Sequence, residues 1–455
     1  MIRREQANFR GRMPAAAATA SALSTKARHP SRRDPQRTTH LRPNPDTSSK
    51  AVVIGAGLTG LAAGLALRAA GASVTVAAGA HDAGRMSADQ RTTALLPTSV
   101  ELLKNLGIWD SCRGHSAALT GVRIVDDRGG LLRAPEVLFE AREAGLPDFG
   151  ANVPNAVLKA ALHARATADP GVEWAQTRSV MRILPGAEAA TLELAEGGSI
   201  TAGLVVAADG RDSLGRSAAG ITTRTWDYGQ TAVATSFRHS RPHGGIATEL
   251  HRRAGPLTTV PLPGDRSSLV WVEEPAAAAR LAGLDAGAFR VELARRLQGL
   301  LGELDEIGPR ACFPLSGLAA HRMGQQRVAL VGESAHVLPP IGAQGLNLSL
   351  RDAAVLADCI SNAMAHGEDI GNDATLAAYH DARIADTLGR VVSVDLLNRS
   401  LLLDFLPVQA MRGVGLHLVA NFGPLRHLLM RSGLQAPGPV PRLMQSGGGA
   451  HAARP

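Results

Sequence analysis

The stretch AVVIGAGLTGLAAGLALRAAGASVTVAAGA, residues 51–80, constrains the fold more than any other part of the chain. Residues 51–54 are an unbroken apolar run, as expected of a strand buried on both faces. Gly55, Gly57, Thr59 and Gly60 follow in the order G-x-G-x-x-G. The first glycine permits a tight turn, the second lets a pyrophosphate approach the backbone, and the third lets a helix pack on the strand. The helix then directs its N–H groups and positive dipole end at the phosphates. A second strand at residues 74–76, VTV, closes a strand–helix–strand unit and implies a parallel sheet that binds a dinucleotide. One element is missing. The second strand should end near an acid that holds the adenosine ribose, but Ala78 stands there with no carboxylate within two residues. Either other groups hold the ribose, or the nucleotide is bound less tightly.

Two further segments repeat the strand-then-turn design. LVVAADGRDSLGRSAAGI, residues 204–221, is an apolar strand ending in Asp209-Gly210. RVALVGESAHVLPPIGAQGLNLSLRDA, residues 327–353, is a strand, then Gly332-Glu333, then a proline- and glycine-rich bend, then a helix from about Gly345. Both place a carboxylate at the carboxyl end of a strand, where α/β sheets bind ligands.

In this order and spacing the three segments resemble the FAD-dependent aromatic hydroxylases of the p-hydroxybenzoate hydroxylase fold, the group A flavoprotein monooxygenases. PPIGAQGLNLSLRDA resembles the signature of their ubiquinone-biosynthesis branch. RTTALLPTSVELLKNLGIW (91–109) and WDYGQTAV (226–233) are similar to the same branch. The resemblance spans residues 50–435. It implies that Glu333, in place of the family's more usual Asp, binds the ribityl chain of FAD. It also implies that Gly332 and the bend 339–345 bring backbone to the flavin edge. The helix opening at Gly345, Leu346 and Asn347 would face the pyrimidine side of the ring, where a positive helix end favours reduction. Arg91 would grip the adenosine end. Asn155 stands where the family has an arginine, and an amide still hydrogen-bonds a ribityl hydroxyl. Asp209 and Gly210 belong to the cofactor region.

The chemistry that the resemblance implies asks little of side chains. Reduced FAD activates O2 and delivers an electrophilic oxygen to a phenol ring, while the protein positions the ring, excludes water and assists loss of the phenolic proton. His336 is the candidate catalytic group, although a packed histidine is the commoner role for such a residue. Glu249 and His251 fall in the expected substrate sheet, where solvated strand-face residues are the simpler expectation. No second G-x-G-x-x-G occurs, so NAD(P)H would be a transient reductant. No paired-His or Cys cluster supports a metal.

Composition removes other classes. The net charge of +8 suggests nucleic acid until it is located: residues 1–50 hold eleven Lys or Arg and three acids, and the remainder is balanced. That basic segment, poor in large apolar residues, is expected to be disordered. Aromatics make up only 3% of the chain, which also argues against stacking on single strands. Cys112, Cys312 and Cys359 lie far apart and fit a reducing compartment. The C-terminal stretch 398–433 is leucine-rich and has no acid after Asp404. It reads either as helices packed on the body or as a basic surface for anionic lipid.

The expected architecture is α/β. A Rossmann-like FAD-binding domain is built from 51–220 and 316–370, with an inserted mostly-β substrate domain at 221–315. C-terminal helices cover 371–435, and 436–455 form a disordered tail. The expected activity is FAD-dependent hydroxylation of a polyprenylated, lipid-tailed phenol in ubiquinone biosynthesis, by a cytoplasmic protein peripheral at the inner membrane or within a ubiquinone-synthesis complex. Hydroxylation of a soluble aromatic compound, reduction of an isoprenoid double bond, and a non-catalytic flavoprotein assembly subunit are the alternatives.

Overall fold

Three parallel strands lie side by side, and each ends in one of the three sequence fingerprints. In the computed structural model, which describes residues 45–78, 89–128, 135–402, 422–434 and 438–448, Lys50–Ile54 lies between Ser73–Ala77 and Leu204–Ala207. Val53 stands opposite Val76 on one side and Val206 on the other. Val328–Leu330 pairs in parallel beyond Leu204–Ala207, and Val172–Trp174 beyond Ser73–Ala77. Gly324–Gln325 adds an antiparallel edge. The central residues Val52, Val53, Val205, Val206 and Ala329 are fully buried, which is why the sequence there is apolar at every position. Because the strands adjoin, Gly55, Gly210 and Gly332 arrive at one carboxyl edge of one sheet.

Two helices begin at that edge and pack against each other, Leu58–Ala69 after the glycine turn and Gln344–Ala365 after the bend. A third, Asp373–Leu402, packs on the second of these.

The second sheet is larger. Its strands run in the order His336–Val337, Ala311–Ala320, Thr223–His239, Arg266–Glu273, Leu257–Leu262, Ile246–His251, Gly121–Asp126, Val137–Glu140. It thus draws strands from 121–140 and 336–337 as well as from 223–320, so it reaches beyond the expected 221–315 insertion on both sides. Pleating gives it two unlike faces. Val233, Phe237, Leu250, Leu257 and Trp271 pack under Phe289, Leu293 and Leu297 of the helix Ala286–Leu297. The residues between them on the strands turn toward a cavity.

The two ends of the chain differ from expectation in specific ways. Of residues 1–50, those up to 44 lie outside the described residues, while Lys50 already belongs to the central strand. Residues 438–448, expected to be a disordered tail, are held against the body. Leu443 and Met444 are buried, and Asn105 Nδ2 donates to the carbonyls of Leu443 and Gln445, each at 2.9 Å. Two apolar side chains with a docking surface outweigh the proline- and glycine-rich flanks. Much of the lipid-facing candidate, residues 403–421, lies outside the described residues.

Candidate active site

The three glycines of the turn do three separate jobs. Gly55 has φ +102°, and a Cβ there would sit 2.5 Å from the Ala208 carbonyl. A Cβ on Gly60 would lie 2.0 Å from the Gly55 carbonyl, so this residue sets the approach of helix to strand. Gly57 faces open space, with nothing within 4 Å of its would-be Cβ. It lines a cavity of about 760 Å³ together with Thr59. The helix it caps has no side-chain cap and no acid in its first turn. Its leading N–H groups therefore suit an anion.

The bend at 332–345 enters the same cavity. Gly332 has φ +66°, and a Cβ would come within 2.9 Å of Thr59 Cγ2 and 3.0 Å of Ser349 Oγ. Its N–H donates to Asp352 Oδ2 at 3.0 Å. Gly342 and Ala343 have φ of +63° and +55°, so the chain enters the helix Gln344–Ala365 with no side-chain cap. Gly345 and Leu346 line the cavity, as do Pro339 and Pro340. Asn347 is buried beneath them as a clamp. Its Oδ1 accepts from Leu96 N–H at 2.8 Å, and its Nδ2 donates to the carbonyls of Ala94 and Ala343 at 2.8 and 2.6 Å. Those bonds occupy the amide, which leaves the helix opening itself to meet a ligand. Two unshielded helix N-termini thus share one cavity, an arrangement that fits a flavin dinucleotide: one end for the pyrophosphate, the other for the flavin.

Charged groups around these termini pair with one another. Glu333 lines the cavity and meets Arg211 at 3.2 Å, both half-exposed. Arg91 also lines it, with Nε and Nη2 each 2.8 Å from the Asp89 carboxylate and its guanidinium over the Phe313 ring. Asn155 donates to Asp89 Oδ2 at 3.2 Å and accepts from Thr93 Oγ1 at 2.7 Å. Burial pushes the Asp89 carboxyl up, but Arg91 and Asn155 together hold it below the usual carboxylate value. Asp89 is a cavity carboxylate that the sequence reading missed. Its one signal was its place two residues before Arg91, since it belongs to no strand end. Asp209 itself does not line the cavity. Its Oδ2 accepts from Gly215 N–H at 3.1 Å, leaving Gly210 to face the space.

His336 borders the cavity but is 1% exposed, and its Nε2 lies 2.7 Å from Asp352 Oδ2. Glu249 and His251 are not solvated strand-face residues. Their side chains are 14% and 6% exposed, with His251 Nε2 2.7 Å from Glu249 Oε1, and Glu249 lines the cavity. Alternation along Ile246–His251 turned them inward, because that strand is interior to the sheet and its outer face is covered by helices.

The FAD binding domain family matches residues 48–387 of the chain. The ubiquinone hydroxylase UbiL of Rhodospirillum rubrum is 37% identical over 408 residues, covering 88% of this chain and 93% of that protein. The 3-demethoxyubiquinol 3-hydroxylase of Escherichia coli is 30% identical over 390 residues, covering 84% of this chain and 97% of that one. Among solved structures, p-nitrophenol 4-monooxygenase from Pseudomonas putida superposes with a TM-score of 0.68 at 20% identity, over 86% of this chain and 98% of that chain. Klebsiella pneumoniae HpxO complexed with FAD and uric acid gives 0.67 at 22% identity, over 85% and 97%.

Proposed function

The chain belongs to the FAD binding domain family and is an FAD-dependent monooxygenase, and from that premise we propose that it hydroxylates a polyprenylated phenol in ubiquinone biosynthesis. The observation that carries the proposal is the single cavity in which two unshielded helix N-termini meet an apolar sheet face. The first feature suits a flavin and the second a hydrocarbon-bearing ring. The similarity to a ubiquinone hydroxylase over 88% of the chain points the same way.

The residues divide the work. Gly57 and Thr59 would take the pyrophosphate, and Glu333 and Asn155 the ribityl chain. Arg91, with Asp89 beside it, would hold the adenosine end in place of the ribose acid absent at Ala78. Gly345 and Leu346 would present the helix opening to the pyrimidine edge of the ring, with Asn347 bracing it. Bound FAD supplies the redox chemistry, carrying electrons to O2 so that one oxygen atom reaches the substrate ring. Pro339, Pro340 and Leu338 keep water from that edge. NAD(P)H is the proposed reductant, visiting from solvent.

A lipid-tailed substrate gives a role to the outer helices. Met430 and Gly433 of the helix Gly423–Leu434 line the cavity, while Phe422 and Leu428 nearby are exposed. Leu388, Val392 and Leu396, four residues apart on Asp373–Leu402, expose 42%, 62% and 67% of their surface. No described helix is long and apolar enough to cross a membrane. These side chains support peripheral seating of a cytoplasmic protein on the inner membrane. The test incubates FAD-loaded protein with NADH, air and a prenylated phenol, and follows product by mass. A mass gain of one oxygen is expected; NADH oxidation that is indifferent to every phenol tried would reject the proposal. Liposome flotation of the protein, with and without Leu388, Val392 and Leu396 changed to Ser, tests the seating.

A further inference from the structure

We propose that Glu249 is the group that accepts the substrate's phenolic proton, held in position by His251. The inference rests on the phenol hydroxylase reading above and assigns it the proton acceptor it lacked.

Four side chains on four neighbouring strands form a row across the cavity face of the large sheet. Ile124 stands opposite Glu249, Glu249 opposite Thr258, and Thr258 opposite Val270. All four line the cavity. The adjoining row holds Val122, Ala247 and Val260, which also line it. Among these seven residues Glu249 alone is ionisable. The other described cavity carboxylates are already engaged at the nucleotide side, Asp89 by Arg91 and Asn155, and Glu333 by Arg211. A carboxylate set into an apolar wall meets an incoming ring without a competing cation.

Its second feature is an oriented partner. Glu249 Oε1 lies 2.7 Å from His251 Nε2, and no other hydrogen bond reaches the carboxylate among the described residues, so Oε2 is left for a ligand. His251 is 5% exposed, and its Nδ1 is buried with no partner among the described residues. His251 therefore spends the one side-chain hydrogen bond it makes among the described residues on fixing Glu249. A side chain with three free torsions would otherwise sample many positions against a flat apolar face.

The chemistry balances as follows. The phenolic O–H donates to Glu249 Oε2 on binding. As the electrophilic oxygen supplied from O2 and reduced FAD bonds to the neighbouring ring carbon, the ring π electrons form that bond, the O–O bond breaks, and its electron pair leaves with the second oxygen atom, which ends as water. The phenolic O–H bond breaks, its electron pair forms the carbonyl of the dienone, and the proton passes to Oε2. The N–H of His251 keeps its hydrogen bond to Oε1 throughout. Rearomatisation then releases the ring proton and returns the hydroxyl.

The experiment uses the full FAD-loaded chain with an ortho-prenylated phenol and its methyl ether. Calorimetry should show the phenol binding about tenfold tighter than the ether, since a charged acceptor recognises the O–H donor. Glu249→Leu should bring the two within about twofold of each other. Glu249→Gln should lower single-turnover hydroxylation about 100-fold and divert oxygen to hydrogen peroxide, with FAD absorbance and its reduction by dithionite unchanged. His251→Phe should lower it less, and His251→Gln, which keeps a donor, should restore most of the rate. An unchanged phenol-to-ether ratio in Glu249→Leu, or hydroxylation by Glu249→Gln within about threefold of the parent, overturns the assignment. A parent protein that makes no hydroxylated product, yet loses its phenol preference in Glu249→Leu, would sink the hydroxylase reading while leaving Glu249 as the phenol's acceptor.

Discussion

His336 Nε2 lies 2.7 Å from Asp352 Oδ2, and the two side chains are 1% and 0% exposed. Asp352 is the hub of a buried chain. Its Oδ2 also takes the Gly332 N–H, and its Oδ1 takes Arg383 Nε at 2.8 Å. Arg383 continues to Asp386 at 2.6 Å, Asp386 to Arg390 at 2.9 Å, and Arg390 to Gln344 at the mouth of the signature helix. The helix Asp373–Leu402 thereby grips both ends of the bend that would meet the flavin. His336, the candidate catalytic group in the sequence, has its Nε2 committed to this brace. We assign it to shaping the bend and give substrate contact to Glu249.

Asp352→Asn should destabilise the protein by about 1.5–3 kcal/mol at neutral pH, because Arg383 loses one of its two buried carboxylate partners and keeps only Asp386. Burial disfavours the charged carboxyl, yet His336 and Arg383 outweigh it and hold Asp352 below the ordinary carboxylate value. A carboxyl lowered on folding stabilises above its unfolded value of about 3.9 and loses that contribution as pH falls through its folded value. The gap between Asp352→Asn and the parent should therefore close in acid below about pH 4. Urea unfolding at pH 7 and at about pH 2.5, well below the unfolded carboxyl value, reads both; equal midpoints at pH 7 would contradict the brace.

Gly57 and Gly60 should separate binding from folding. A side chain at Gly57 points into open cavity, so Gly57→Val should fold with its unfolding midpoint nearly unchanged and lose FAD. A Cβ at Gly60 meets the Gly55 carbonyl at 2.0 Å, so even Gly60→Ala should cost about 1–3 kcal/mol of stability. The ratio of flavin to protein absorbance and a thermal melt distinguish the two. A Gly57→Val protein that keeps stoichiometric FAD would place the pyrophosphate elsewhere.

What the sequence revealed follows from how local each signal was. The glycine turn, Asp209-Gly210 and Gly332-Glu333 each announce a strand end within a few residues, and parallel pairing then brings them together. Asp89 pairs with Asn155 across 66 positions, and Asp352 with Arg383 across 31, so neither partnership has a local signature. Asn347 matched the signature, but its bonds to Ala94 and Leu96 depend on a segment some 250 positions away. Glu249 and His251 were visible as strand residues. Which face they would occupy depended on the helices 275–297 covering the other side.

Arg426 anchors the helix Gly423–Leu434, whose Met430 and Gly433 line the cavity. It pairs with Glu143 at 2.5 Å, donates to the Leu138 carbonyl and lies 4.7 Å from the centre of the Phe139 ring, a cavity residue. The Arg426 hydrogen bond holds the Glu143 carboxyl below its usual value despite some burial. Arg426→Ala should leave FAD content unchanged and raise KM for a prenylated phenol about 5- to 10-fold, the effect of losing about 1–1.4 kcal/mol of positioning. A short-chain phenol should be affected less. Equal KM changes for both substrates would remove the helix from the tail-binding end.

Residues 438–448 should be needed for stability. Leu443 and Met444 are 6% and 2% exposed, Arg351 Nη2 donates to the Pro439 carbonyl at 3.0 Å, and the Arg442 N–H donates to Asp358 at 3.1 Å. Ending the chain at residue 437 exposes the apolar surface under both side chains, a loss of about 3 kcal/mol or more. Leu443→Ala with Met444→Ala should reproduce most of that loss without shortening the chain, because the side chains and not the backbone carry it. Arg442→Ala, whose side chain is mostly exposed, should cost less than about 1 kcal/mol. Thermal melts of the three variants, each with FAD bound, give the order directly. If the truncated chain melts with the parent, the segment is an appendage and the buried pair contributes nothing to the body.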